Sequence, residues 1–145
     1  AACALWVLPD LQTRKLLNVT HTPIVELKET VGGLTPRIRK LTALHTPDDL
    51  TFVEDRLMRY SDTDVNAHVN NTKYADFACD ALDLAARREG EFISELEITY
   101  HEECQPSERI RISTANIQPD QFVHGEGADR VSRFDVRLRL DIEGQ

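Results

Sequence analysis

Three side chains that could take part in acyl-transfer chemistry stand at alternate positions in one polar segment, 62-DTDVNAHVNN-71. In an extended backbone, Asp64, Asn66 and His68 would project to one side and the apolar residues between them to the other. A carboxylate, an amide and an imidazole can together orient a water, polarise a carbonyl and carry a proton. The residue types therefore predict a candidate catalytic segment.

Two other interpretations of this segment compete with catalysis. An EF-hand calcium loop is not expected, because its sixth position would be Ala67 instead of Gly and its twelfth Lys73 instead of Glu. Structural capping is a stronger alternative, since Asp64 or Asn66 could bind the free N–H groups of a following helix. The same amides and the positive end of the helix could also hold a developing oxyanion, so the segment supports capping and catalysis about equally.

A second polar cluster, 100-YHEECQPSE-108, stands at the end of a predicted strand that Pro106 closes. Glu103 could activate water if its pKa were raised by burial, and Cys104 could act as a nucleophile beside a His. In a regular strand these two residues face opposite sides, and Cys104 shares the apolar side with Tyr100. The residue types leave both chemistries open.

Other site types find little support. No pair of His or Cys has the spacing of zinc ligands, and Ser61 lacks the GxSxG context of a serine hydrolase. His21, His45 and His124 are isolated in loop-like segments and are expected to be solvated. We therefore predict no metal and no cofactor.

Composition narrows the class of protein. The net charge of −8 and the pI near 5.1 disfavour nucleic-acid binding, and no apolar run is long enough for a membrane span. Three unevenly spaced cysteines, Cys3, Cys79 and Cys104, are typical of a reducing compartment and not of a disulfide framework. The first residues, AACALWVL, resemble a strand more than a signal peptide, so a cytoplasmic location is predicted.

The apolar periodicity predicts one helix and several strands. Residues 67–89 contain neither Gly nor Pro and repeat apolar residues at helical spacing, with Gly90 as the predicted cap. Period-2 alternation then predicts strands in 92–104, 109–117 and 133–142, with a loop around Gly125 and Gly127. A further strand is predicted from residue 51. One helix and antiparallel strands with one wet face indicate an α+β fold in which a curved sheet wraps the helix.

The motifs resemble a known family. The segment D-T-D-V-N-A-H-V-N-N-T-K-Y resembles the signature of the acyl-acyl carrier protein thioesterases of plants and bacteria. The run I-T-Y-H-E-E-C is similar to the family's strand ending in Glu-Cys, at a matching distance behind the helix. The opening A-L-W-V-L with T-R-K resembles the end of the first of the family's two hotdog domains. The likeness covers most of the chain and is strongest in the DxNxHVNN and EC motifs.

This resemblance implies a hotdog fold, with a long central helix wrapped by a curved antiparallel sheet. It implies hydrolysis of the thioester between a fatty acyl chain and acyl carrier protein. By resemblance, the family's catalytic Asp, Asn and His correspond to Asp64, Asn66 and His68, and its Glu-Cys pair to Glu103 and Cys104. Our hypothesis for the mechanism is attack by water with Glu103 as general base, while Asn66 and the amides at the helix start polarise the carbonyl. His68 would orient the water or relay a proton, and Asp64 would hold the site together. A rival mechanism makes Cys104 the nucleophile, with His68 as its base.

The resemblance also suggests a domain organisation. Residues 1–17 would end an incomplete first hotdog domain, 18–50 would be a linker, and 51–145 would be a second hotdog domain without its last strand. A homo-oligomer, or pairing with the missing domain, is expected, and residues 2–8 could fill an open edge beside 134–142. An acyl-coenzyme A thioesterase and a non-catalytic acyl-binding or assembly module are the alternative functions. A plastid stroma would be the location in a plant.

Overall fold

The computed structural model describes residues 12, 13, 15, 50–86 and 89–142. The chain divides into two compact units, Ala1–Arg39 and Lys40–Gln145, and every element named below belongs to the second. The strand predicted at 2–8 and nearly all of the segments 1–17 and 18–50 lie outside the described residues. The predicted domain boundaries therefore stay predictions.

The described residues of this unit form five strands and one α-helix. The strands are β1 (Thr51–Leu57), β2 (Glu91–Tyr100), β3 (Arg109–Ile117), β4 (Asp120–Gly127) and β5 (Ser132–Ile142), and the helix is α1 (Lys73–Ala81). Short 3-10 helices cover Tyr60–Asp62 and Leu84–Ala86. The strands form one antiparallel sheet in the order β1-β3-β4-β5-β2. The predicted α+β class with an antiparallel sheet is confirmed.

The interior position of β5 contradicts one prediction. Residues 2–8 were expected to fill an open edge beside 134–142, but β5 is paired with β4 on one side and β2 on the other. Its backbone donors and acceptors are therefore already used. The edges of the described sheet are β1 and β2.

The fourth strand corrects the predicted loop around Gly125 and Gly127. The sequence gives little sign of β4, because two glycines and His124 interrupt its apolar pattern. A Cβ on Gly125 would lie 2.2 Å from Cε1 of Phe134, across the β4–β5 pair. The missing side chain makes room for the Phe134 ring in the core.

The helix is much shorter than the sequence pattern predicts. It spans nine residues, not 67–89, and Asp83 follows it in the left-handed region with φ 49°. The polar residues before position 73 form a loop, because Asp and Asn side chains bind nearby backbone amides outside helices. Gly90 has the positive φ of 86° expected of a cap but lies in the turn before β2, so the cap prediction is wrong.

The core lies between α1 and one face of the sheet. The predicted helix face is confirmed for Tyr74, Phe77 and Ala78, which are buried, whereas Ala85 lies beyond the helix and is exposed. The predicted alternation of β5 is also confirmed, since its core residues Phe134, Val136 and Leu138 are fully buried. The remaining core side chains are Met58, Val69, Cys104, Ile110, Ile112 and Val123.

A bulge in β2 changes which of its residues face the core. The register shifts between Ile93 and Glu95, so Ile93 pairs with Leu140 and Phe92 pairs with Asp141. Phe92 therefore lies on the face opposite α1, not on the apolar face that simple alternation predicts.

The outer face of the sheet is ionic. Arg137 lies 3.0 Å from Glu97 and 3.1 Å from Glu95, and Arg139 lies 2.8 Å from Asp120. These pairs cross three neighbouring strands, so they tie β2, β4 and β5 together on the side away from the core.

A buried carboxylate on the same face binds two imidazoles. Asp135 is 3% exposed, and its oxygens lie 2.7 Å from Nε2 of His101 and 2.7 Å from Nδ1 of His124. Hydrogen bonds from the two rings keep the pKa of Asp135 low against the opposing effect of its burial. His124 is therefore a strand residue hydrogen-bonded to Asp135 and not a solvated loop residue, which corrects the sequence prediction.

No helix in the described part of the chain has the length and apolarity to cross a membrane.

We expect Gly125→Ala to lower the free energy of unfolding by about 1–3 kcal/mol, because the new Cβ would overlap a fully buried ring. Urea denaturation measures this loss. The control is the same substitution in a Phe134→Leu background, where the ring atoms are absent and Gly125→Ala should cost clearly less. An equal cost in both backgrounds would contradict the packing explanation.

Candidate active site

The segment 63–69 forms a closed loop ahead of α1. Thr63 and Val69 form an isolated antiparallel bridge, and the N–H of Asp64 donates to the carbonyl of His68 at 2.8 Å. Ala67 lies in the left-handed region with φ 60°, which lets the chain reverse within the loop. The predicted extended arrangement of alternating side chains is therefore wrong.

The cap of α1 lies beyond this loop. Thr72 is the N-cap residue, its N–H donates to Oδ1 of Asn70 at 3.0 Å, and the N–H of Lys73 donates to the carbonyl of Asn70 at 2.8 Å. The prediction that Asp64 or Asn66 caps the helix is wrong. The amides of Thr72 and Lys73 are already bound, so they are poor candidates for polarising a substrate carbonyl.

The Asp64 carboxylate organises the loop from within. Its Oδ1 accepts hydrogen bonds from the backbone N–H of Asn66 at 2.8 Å and of His68 at 3.3 Å. The bond from the Asn66 amide is the largest cause that lowers the pKa of Asp64, so the carboxylate stays ionised at neutral pH. The Asp64 side chain thus fixes the backbone conformation at Asn66 and His68.

The structure brings His68 and Glu103 together. Nε2 of His68 lies 3.6 Å from Oε2 of Glu103, and the two side chains are 48% and 64% exposed. This separation is too long for a direct hydrogen bond, but it lets both groups contact one water or one reacting oxygen. The imidazole and the carboxylate come from different loops, so only the tertiary fold makes this pair.

Cys104 lies beside Glu103 in sequence but faces the interior. It is fully buried, and its N–H donates to the hydroxyl of Tyr74 at 3.4 Å. Burial raises the pKa of the Cys104 thiol to about 11. At pH 7 only about one thiol in ten thousand would be ionised, whereas a nucleophilic Cys needs its thiolate. Glu103 and Cys104 do lie on opposite sides, although β2 ends at Tyr100 and the predicted strand does not reach residue 104. The burial considered for Glu103 is wrong, because its carboxylate lies in solvent.

The contact of Tyr74 with Cys104 was not apparent in the sequence. There Tyr74 is only one member of the apolar helix face, and its hydroxyl meets the 101–108 segment through the packing of α1 on the sheet. The ring of Tyr74 also makes an edge contact with Phe134 at 4.9 Å between centroids. Tyr74 therefore supports the segment that carries Glu103.

An open cleft of about 780 Å³ lies elsewhere, between β1 and the end of α1. Charged side chains dominate its lining, among them Arg56, Asp80 and Arg109, and neither His68 nor Glu103 lines it. A fatty acyl chain needs apolar walls, so this cleft is a poor candidate for an acyl pocket. Among the described residues, no group of three or more His, Cys, Asp or Glu is placed to hold a metal ion.

Comparison with known proteins identifies relatives of this chain. Residues 46–143 match the family described as the acyl-ACP thioesterase C-terminal domain. Over 99% of its length the chain is 29% identical to the chloroplastic acyl-[acyl-carrier-protein] hydrolase FATB2 of Cuphea viscosissima. The chain spans only 34% of the length of that protein.

Solved structures share the fold. An acyl-ACP thioesterase from Bacteroides thetaiotaomicron superimposes with a TM-score of 0.69 at 17% identity, over 92% of this chain and 53% of that one. The 12:0-ACP thioesterase of Umbellularia californica gives 0.59 at 24% identity, over 73% of this chain and 40% of that one. These similarities confirm the predicted hotdog fold.

We expect Asp64→Ala to loosen the 63–69 loop and Asp64→Asn to preserve most of it, because Asn keeps an oxygen that accepts from the two amides. Amide hydrogen exchange at Asn66 and His68 should be about fivefold faster in the Ala variant than in the Asn variant. Because the folded pKa of Asp64 is lowered, wild-type protection should persist through the usual range of an Asp and fall only below it, toward the level of the Asn variant, since a protonated carboxyl still keeps one accepting oxygen. Equal exchange in the two variants would contradict this role.

Proposed function

Because the chain belongs to the acyl-ACP thioesterase C-terminal domain family, we propose that the protein hydrolyses the thioester between a fatty acyl chain and acyl carrier protein. The observation that carries the proposal is the exposed pair of His68 and Glu103, 3.6 Å apart. The pair joins the two sequence motifs on which the resemblance rests. An imidazole and a carboxylate open to solvent are suited to activating water.

Glu103 accepts a proton from water while the water oxygen bonds to the thioester carbonyl carbon. His68 orients this water and relays the proton, and Asn66 polarises the carbonyl by donating a hydrogen bond. The C–S bond then breaks, the proton passes to the sulfur of the leaving thiolate, and the products are a free fatty acid and the carrier thiol. Asp64 acts through the backbone of its loop and does not touch substrate.

The burial of Cys104 favours water attack over a covalent route. A thiol with a pKa near 11 in the core can neither reach an external carbonyl nor supply a thiolate at neutral pH. In this proposal Cys104 packs beneath the segment that presents Glu103. In this proposal Cys104 therefore has a structural role, and Glu103 has the catalytic one.

The carrier and the compartment are parts of the proposal. Acyl carrier protein is favoured over coenzyme A because the family is one of acyl-ACP thioesterases. The Cuphea relative is chloroplastic, and a plastid stroma is the matching location if the source is a plant. An oligomer, or pairing with another hotdog domain, remains a prediction.

Replacement of Glu103 by Gln should lower kcat on an acyl-ACP by about 10²–10⁴-fold with little change in KM, because the amide cannot take the proton from water. Release of free fatty acid from acyl-ACPs of several chain lengths is the measurement. The exposure of Glu103 predicts unchanged thermal unfolding, which controls for misfolding. Wild-type turnover by the variant would refute the general-base role. Equal kcat/KM on acyl-ACP and acyl-CoA of one chain length would instead favour the broader thioesterase alternative.

Cys104→Ala should keep turnover within about threefold of the wild type and lower the free energy of unfolding by about 1 kcal/mol, because it deletes a buried sulfur. Initial rates and urea denaturation test the two halves of this expectation. Treatment of the wild type with iodoacetamide at neutral pH should likewise leave it active. A folded Cys104→Ala protein without turnover would support a thiol nucleophile.

A further inference from the structure

The segment 101–108, which carries Glu103, is held by one buried cation from β5. The side chain of Arg133 is 9% exposed, and its Nη2 lies 2.7 Å from Glu108 and 2.9 Å from Asp129. Its Nη1 lies 3.4 Å from Glu102 and donates to the carbonyl of Val131 at 3.2 Å. A planar guanidinium can reach several acceptors at once in a fixed geometry.

The backbone of Arg133 holds the same segment. Its carbonyl accepts hydrogen bonds from the N–H of His101 at 2.8 Å and of Glu102 at 3.2 Å. Two successive amides on one acceptor mark an irregularity directly before Glu103. Arg133 therefore contacts both the main chain and the side chain of the residue that precedes the proposed base.

The far end of the segment is also tied to Arg133. Glu108 contacts Nε of Arg133 at 3.0 Å through Oε1, while its Oε2 accepts from the N–H of Gln105 at 2.8 Å. The carbonyl of Glu108 accepts from the N–H of Met58 in turn, at 2.8 Å. Contacts at both ends leave Glu103 in the middle, with its side chain free to face His68.

The surrounding structure leaves room for the Arg133 side chain. A Cβ on Gly127 would lie 2.5 Å from Nη2 of Arg133 and 2.6 Å from Oδ1 of Asp129. The ion pairs with Asp129 and Glu108 raise the pKa of Arg133 further above its usual range, so the guanidinium is charged at every relevant pH. The cation partly offsets the three carboxylates that meet around it.

We propose that Arg133 is a positioning residue for catalysis, which fixes the 101–108 segment so that the Glu103 carboxylate stands opposite His68. This inference rests on the proposed function for its catalytic consequence. Glu102 transmits the effect, because its side chain contacts the guanidinium and its backbone is bonded directly to that of the base. Asp129, by contrast, ties the same guanidinium to the β4–β5 hairpin and lies outside the segment.

Glu102 and Asp129 provide a matched pair for the test. Both are exposed partners of Arg133, at 59% and 53%, and Asp129 is the closer one, at 2.9 Å against 3.4 Å for Glu102, so the Asp129 control removes the shorter ion pair. Glu102→Gln should lower kcat about 3–10-fold with KM unchanged, and Asp129→Asn should stay within about twofold of the wild type. Arg133→Lys should lower kcat about 10–100-fold, because an ammonium group cannot make the several hydrogen bonds of the planar guanidinium at once.

Two further readouts separate positioning from other effects. If Glu102 positions the base, its substitution lowers the maximum kcat on the plateau of the kcat–pH profile. If it only changes the charge beside Glu103, the plateau keeps its height and the acidic limb of the profile moves to a different pH. Hydrogen exchange of the Cys104 amide should be faster in Glu102→Gln than in Asp129→Asn, and this measurement needs no activity. Equal plateaus and equal exchange in the two variants, or loss of thermal stability alone in Arg133→Lys, would overturn the inference.

If the wild-type protein hydrolyses no acyl-ACP, the proposed function fails, and exchange at Cys104 then decides whether Arg133 holds the segment. Faster exchange in Glu102→Gln alone supports the structural half of the inference. Equal exchange in both variants refutes it.

Discussion

The pairing of β5 with β2 determines the position of the carboxylate in the candidate site. β2 runs beside β5 until Tyr100 meets Phe134, and the chain leaves the sheet at that point. Arg133, one residue before Phe134, accepts the next two amides and so sets the direction of the departing segment. Glu103 follows at once, on the side where the loop of His68 is exposed. A different register between the two strands would move the carboxylate away from the imidazole.

The irregular segment after β2 then places two neighbouring residues in different environments. Glu103 lies in solvent beside an imidazole, whereas Cys104 lies in the core against Tyr74. Their proximity in sequence suggests a shared chemical role, but the dielectric around each group differs sharply. Burial raises the pKa of the Cys104 thiol, so the thiol remains protonated at neutral pH. The motif thus places an exposed carboxylate next to a core residue that anchors the segment.

Much of the fold was predictable from periodicity, because long strands with one buried face leave a clear pattern. β5 shows this well, since Phe134, Val136 and Leu138 alternate without interruption and all face the core. The start of the helix was not predictable in the same way. Residues 67–72 contain no helix breaker, yet the side chains of Asp64 and Asn70 accept hydrogen bonds from the backbone N–H groups of His68 and Thr72 and so stabilise a loop there.

Features that arise from contacts between distant residues escaped sequence reasoning. β4 was not predicted because Gly125 interrupts its apolar pattern. The glycine is needed there because a Cβ would overlap the ring of Phe134, and this contact between two strands is not visible in the sequence of one strand. The members of the candidate site were identifiable by residue type and resemblance, but the pairing of Glu103 with His68 needed the fold. The part played by Arg133 was hidden for the same reason, since Glu102, Glu108 and Asp129 meet only around it.

The strand order also has a kinetic consequence. The β3–β4–β5 meander joins neighbours in sequence, whereas β1 and β2 must close much longer loops to reach the two sides of that meander. Short loops close at a lower entropic cost, so we expect the meander to form early and the outer strands to dock late. The loop of His68 lies between β1 and β2, and Glu103 follows β2. The pair that we assign to catalysis would therefore assemble last, after the rest of the sheet can already support it.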